Sequence, residues 1–215
     1  MNNIFQLFIP AIFIASLLMH VAKRNSGLIG LYAFQSLAVV AMLLFSFMEN
    51  KSILSFIVVV FALGVKVIGV PLLFGNLVRK NHIAFSASTY LNTPLTFILI
   101  AGLVAMAHSL MFGSLIALSE EYRELLAICL AVILLSCFLI ANRRGVLSQI
   151  IGILSLENGI VAFAILAGLE ELPVLQLGIL FELFVWVAVV TVFAWMMYRK
   201  FETLETTALK HLQEE

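Results

Sequence analysis

Apolar residues in this chain occur in long runs, and short polar clusters separate them. The runs fall at 3–22, 27–47, 52–76, 94–118, 125–141, 146–168 and 174–197. Each lies near the ~20 residues that a helix needs to cross about 30 Å of hydrocarbon. The pattern predicts an all-α integral membrane protein with seven transmembrane helices. The breaks are Lys23-Arg24-Asn25, Glu49-Asn50-Lys51, Arg79-Lys80-Asn81-His82, Ser119 to Glu124, Asn142-Arg143-Arg144 and Glu170-Glu171, and none is long enough for an extramembrane domain.

The sign of the breaks orients the bundle, because cytoplasmic loops collect Lys and Arg. One side receives Lys23, Arg24, Arg79, Lys80, Arg143, Arg144, Arg199 and Lys200; the other holds Lys51 and Arg123 beside Glu49, Glu120, Glu121, Glu124, Glu170 and Glu171. The alternation is unbroken and predicts the N-terminus out and the C-terminus in. The first run has no basic region ahead of it and reads as a retained helix, not a cleaved signal.

Local residue choice sharpens the boundaries. Asn92-Thr93-Pro94 offers a capping side chain followed by Pro in the first turn, and Pro173 opens the last run in the same way. Pro71 lies inside the third run, where it frees a carbonyl one turn back near Val67 and predicts a kink. After Lys200, the helical spacing of Phe201, Leu204, Ala208 and Leu212 predicts a short amphipathic helix on the cytoplasmic side, although the segment has the composition to fray as well.

Composition then removes whole classes. Of 215 residues 63% are apolar and 11% charged, against roughly a quarter charged in a soluble domain. A mean hydropathy of +1.16 with modest Gly, Pro and Cys excludes a disordered tail, a collagen-like repeat and a disulfide-stapled module. Twelve basic residues balance twelve acids, all of them Glu, so no basic surface exists for nucleic acid. Cys129 and Cys137 share one apolar run and fit no metal or cluster spacing. No phosphate-cradling loop, nucleophile elbow or zinc-ligand helix can be read, and no catalytic residue, cofactor or metal site is expected. Gly64, Gly69 and Pro71 are the nearest approach to the interrupted helices of a substrate transporter.

The candidate chemistry lies in charges at the wrong depth. Lys66, Glu157, Glu182 and His108 fall inside proposed spans, where a central charge costs about 2.5–3.5 kcal/mol. Each is therefore expected to face another helix or a hydrated cavity, and intramembrane ionisable groups are functional candidates by default. Glu157 lies about as far from Arg144 as from Glu170, near the midplane, among Ile150, Ile153, Leu154, Ile160 and Val161. Apolar surroundings disfavour a lone carboxylate, the condition under which an acid takes and releases a proton. Glu182 enters from the outer end of the last run, and Lys66 precedes Pro71 by five residues; both reach comparable depth. A Lys at that depth can switch the proton affinity of a neighbouring carboxylate, or form a static buried pair with it. His108 is weaker evidence, because it lies nearer the outer part of the fourth run and a lone His is commonly a packed, hydrogen-bonded side chain.

A family resemblance adds to this reading. The run Arg143-Arg144-Gly145-Val146-Leu147, then Gln149-Ile150-Ile151-Gly152 and Glu157-Asn158-Gly159, the acid Glu182 and the basic stop Arg199-Lys200 resemble the membrane subunit called hydrogenase-4 component E. Lys66-Val67 and Val70-Pro71-Leu72 resemble the same family, so the likeness covers most of the chain. The last three spans are also similar to the small NuoK subunit of complex I and its counterpart in multisubunit cation/proton antiporters, where two midmembrane Glu form part of a lateral proton path. One departure is that, measured from the paired Arg, the first acid of the complex I subunit would fall at Leu154, about one turn before Glu157 on nearly the same face. The resemblance lends no support to His108.

The resemblance implies a division into an N-terminal four-helix part (1–124), a NuoK-like three-helix part (125–200) and a cytoplasmic tail (201–215). It implies a non-catalytic, multi-pass subunit of the inner cell membrane within a redox-driven, proton-translocating complex, of the membrane-bound hydrogenase or formate hydrogenlyase type. Its partners would be the other membrane subunits, antiporter-like and NuoH-like, and the lipid bilayer. The alternatives are a subunit of a cation/proton antiporter, a stand-alone secondary transporter and an assembly scaffold.

Overall fold

Two long apolar helices, α1 (Asn2–Val21) and α2 (Asn25–Asn50), form an antiparallel hairpin through the basic turn at Lys23-Arg24. The computed structural model describes residues 2–80, 89–169, 172, 176–182, 184–186, 188–189 and 192. The Asn81-His82 and Glu170-Glu171 breaks, Pro173, the Arg199-Lys200 stop and the tail helix built on Phe201, Leu204, Ala208 and Leu212 lie outside these residues.

The third run starts as α3 (Ile53–Ala62), passes into a π-helical segment, Leu63–Gly69, and continues as α4 (Val70–Lys80). The cause is local. Pro71 has no N–H for the carbonyl four residues back, and the ladder widens to five-residue steps before it, with the Val70 N–H on the Val65 carbonyl. Gly69 belongs to this widening, because a Cβ there would stand 3.2 Å from the Gly64 carbonyl oxygen. The kink expected at Pro71 thus takes the form of a π turn, and that turn carries Lys66.

The fourth run, expected as one helix over 94–118, is instead α5 (Thr93–Ala107), a 3-10 turn (Leu110–Phe112) and α6 (Gly113–Ile116), with a 47° bend between the two parts. Asn92 caps α5 as the sequence predicts, its side-chain oxygen accepting the Leu95 N–H at 3.1 Å. The break follows from Ser109, which is extended at ψ 163° and whose hydroxyl donates to the Met106 carbonyl at 2.7 Å. A side chain that satisfies the backbone locally competes with helix continuation.

The bundle closes with α7 (Arg123–Asn142) and α8 (Val146–Leu166), followed by the shorter α9 (Gln176–Trp186). α7 and α8 approach closely at Gly152 and Gly159. A Cβ on Gly152 would lie 2.7 Å from Ile140 Cγ1 and 3.2 Å from the Ile140 nitrogen, and one on Gly159 would lie 3.0 Å from Val132 Cγ1. Small residues permit this kind of approach between membrane helices.

Arg143, at the end of α7, ties the same edge of the bundle to α1. Its buried guanidinium donates to the carbonyls of Met19, His20 and Ala22 at 2.7, 3.1 and 2.9 Å. It therefore caps the C-terminus of a neighbouring helix, where orphan carbonyls concentrate negative potential. Burial pulls its pKa below the ordinary arginine value. Beside it, Asn142 takes the backbone N–H of Tyr90 and, through its side chain, that of Leu91, while Arg144 stacks 4.6 Å over the Tyr90 ring.

Among the described residues the architecture is all-helical, with one isolated bridge between Thr89 and Arg143. Five helices among the described residues are long and apolar enough to cross a membrane, six when the bent pair counts as one span. The seventh expected span is described over α9 and a few residues beyond it.

Candidate functional site

Beside a small cluster that joins α5 and α6 to α7, the apolar core forms two strata along the helix axes. One contains Ile9 and Ile12 of α1, Val39 and Met42 of α2, Val58, Val59 and Ala62 of α3, Leu126, Cys129 and Val132 of α7, and Val161, Ala162, Ile165 and Leu166 of α8. The other contains Met19 of α1, Leu28, Ile29 and Tyr32 of α2, Val70 and Phe74 of α4, Leu139 of α7, and Ile151 with Leu154 of α8. Between them five helical segments contribute buried polar groups: Ser16 from α1, Gln35 and Ser36 from α2, Lys66 from the π segment, Ser136 from α7, and Ser155, Glu157 and Asn158 from α8. A polar layer thus crosses the bundle at mid-height.

The layer is organised around one ion pair. Lys66 Nζ meets Glu157 Oε1, with the two residues 3% and 8% exposed. The other carboxylate oxygen, Oε2, accepts the indole N–H of Trp186 from α9 at 2.7 Å. Lys66 Nζ also donates to Asn158 Oδ1 at 3.5 Å. The Asn158 amide nitrogen donates to Ser36 Oγ at 2.9 Å and to Gln35 Oε1 at 3.4 Å, and the Gln35 amide nitrogen donates to Ser16 Oγ at 2.8 Å. Ser136 and Ser155 share a hydrogen bond of 2.8 Å between α7 and α8. Gln35 and Asn158 are wholly buried.

Local chemistry explains why these side chains converge. The π segment before Pro71 sets the direction of Lys66, and the Gly152/Gly159 contact sets how α8 lies against α7. Burial of an uncompensated charge costs several kcal/mol, so cation and carboxylate are held together and their remaining sites are filled by neutral donors and acceptors. What results is a titratable pair attached to a hydrogen-bonded row that spans from α9 to α1.

The four residues singled out in the sequence meet different outcomes. Lys66 and Glu157 are brought into direct contact. Glu182 is half-buried on α9, four residues before Trp186 and so on the same helix face, one turn from the indole that touches Glu157. His108 stands exposed at the end of α5, its Nδ1 bonded at 2.9 Å to the Val104 carbonyl of its own helix. The sequence reading did not single out Gln35, Asn158, Ser16, Ser36 or Trp186. A signal was present for two of them, since Gln35 is an amide in the middle of the second run and Asn158 adjoins the midmembrane acid.

Among the described residues no three His, Cys or Glu side chains gather as a metal site. No curated protein and no solved structure matches the chain. Its run of apolar helices makes it a multi-pass membrane protein. Residues 124–214, which take in α7, α8 and α9, match the family model of NADH-ubiquinone/plastoquinone oxidoreductase chain 4L, so that the C-terminal part of the chain is NuoK-like.

Proposed function

We propose that the chain is a non-catalytic membrane subunit of a complex-I-like, redox-driven proton-translocating assembly, of the membrane-bound hydrogenase or formate hydrogenlyase type. In this reading Glu157 and Lys66, with Glu182 one turn beyond Trp186, form a segment of a lateral proton path. Redox chemistry takes place in partner subunits, and the chain carries no cofactor. Its N-terminus lies outside and its C-terminus inside the inner cell membrane.

The observation that carries this reading is the Lys66–Glu157 pair inside a polar layer that runs across the bundle between two apolar strata. An acid that exchanges a proton in the membrane needs a partner that stabilises its charged form and a route of polar groups on either side. The match of residues 124–214 to an oxidoreductase chain supports the same assignment. His108 is exposed and bonded within its own helix, and the proposed path does not use it.

The test is Glu157→Gln in the assembled complex isolated in mild detergent and returned to vesicles. Proton movement per electron transferred is expected to fall while the complex remains intact. Unchanged pumping rejects the role of Glu157, and cation transport by the chain reconstituted alone would favour a free-standing transporter instead.

A further inference from the structure

The amide row beside the ion pair has a fixed sense. A lysine ammonium carries only donors, so Asn158 presents its oxygen to Lys66 and its nitrogen to Ser36 and Gln35. Gln35 must then present its oxygen to Asn158, which leaves its nitrogen for Ser16 Oγ. Either amide, if turned over, would face a donor with a donor inside a wholly buried layer. The charge on Lys66 therefore orients two amides in turn, and those amides hold one neutral acceptor against the ammonium.

We propose that Asn158, held in this orientation by Gln35 and Ser36, is a positioning residue that keeps the Lys66 ammonium in place during the interval when Glu157 carries a proton. The inference rests on the proton-path reading above and names residues that reading does not require. Protonation of Glu157 removes the attraction of the ion pair, and a lysine on a flexible stem in a dry bundle would then lose its main partner. The Asn158 oxygen cannot be neutralised by the same proton. It retains the ammonium beside Glu157, and the pair re-forms when the proton leaves. Asn158 neither takes nor gives a proton in this scheme. It acts through Lys66.

The experiment uses the assembled complex in vesicles, with protons moved per electron measured beside the amount of complex recovered. Asn158→Leu keeps the volume and removes the acceptor; coupled proton movement per assembled complex is expected to fall about ten-fold, the equivalent of one hydrogen bond to a charged group. Gln35→Met removes one of the two acceptors that orient Asn158, Ser36 Oγ being the other, and is expected to act in the same direction with a smaller fall, about three-fold. Because both act through one oxygen on one ammonium, Gln35→Met placed on top of Asn158→Leu should add little.

Normal proton movement in an assembled Asn158→Leu complex overturns the proposal, as does an additive double variant. If Asn158→Leu does not assemble, Gln35→Met decides: a normal proton yield in that variant overturns the proposal. Glu157→Gln in the same vesicles separates this failure from that of the underlying reading. Loss of pumping in Glu157→Gln with none in the amide variants removes only the positioning role, and normal pumping in all of them removes the path itself.

Discussion

The buried ion pair makes a quantitative demand on stability. Replacing Lys66 by Met leaves Glu157 without its countercharge and with the Trp186 indole N–H on Oε2. Replacing Glu157 by Gln leaves the ammonium with Asn158 and one amide oxygen. Removing one partner of a buried pair costs about 3–5 kcal/mol, because the other charge stays uncompensated. The surviving neutral contacts place each single variant near the lower end, at about 3 kcal/mol. The double variant Lys66→Met/Glu157→Gln leaves no charge, only an Asn158 oxygen short of a donor, and should cost about 1 kcal/mol. The three together form a double-mutant cycle in which the pair destabilises far less than the sum of its parts. Reversible unfolding of the purified chain in detergent micelles reads this directly. The single variants are expected to melt roughly 6–12 °C lower and the double roughly 2–4 °C lower, for a chain of this size. Single variants that melt like the parent, or a double variant as costly as both singles combined, would refute the claim that the two charges are held as a pair in a dry interior.

Other consequences can be measured on the same material. Arg143→Ala removes three bonds from a charged donor to the carbonyls at the end of α1 and is expected to cost about 2–4 kcal/mol, seen as a lower unfolding midpoint and faster amide exchange at Met19 to Ala22. Gly159→Leu forces a side chain into Val132 and Ile133 of α7; overpacking of this kind costs about 1–3 kcal/mol, and a crosslink between cysteines placed across α7 and α8 should form more slowly. Trp186→Phe removes the donor on Glu157 Oε2 and is expected to lower the unfolding free energy by about 1.5 kcal/mol. A Trp186→Phe chain as stable as the parent argues that α9 is not seated on Glu157.

The charges were the legible part of the site. Lys66 and Glu157 stand out in apolar runs because hydrocarbon tolerates few such residues, and their equal depth follows from counting residues to the nearest basic or acidic break. Which of them touch is a matter of helix rotation, and rotation depends on packing. The π segment turns Lys66 inward, and the Pro71 that causes it could be read in the sequence only as a kink. Gln35, Ser16, Ser36 and Asn158 were hidden for another reason: a hydroxyl or amide in a membrane helix is cheap enough to occur without a partner in mind, and nothing in its spacing says that five helices place theirs at one height. The fourth run misled because its hydropathy continues through Ser109 while its backbone does not. The Asn92 cap could be read because capping is a matter of a few adjacent residues.

The match to the oxidoreductase chain begins at residue 124, and only one member of the ion pair lies beyond that point. Glu157 belongs to the matched stretch; its countercharge, and the Gln35 and Ser36 acceptors that orient Asn158, come from helices ahead of it. The seam therefore runs through the middle of the titratable centre rather than beside it. A fragment cut at the seam would keep the acid and forfeit the cation.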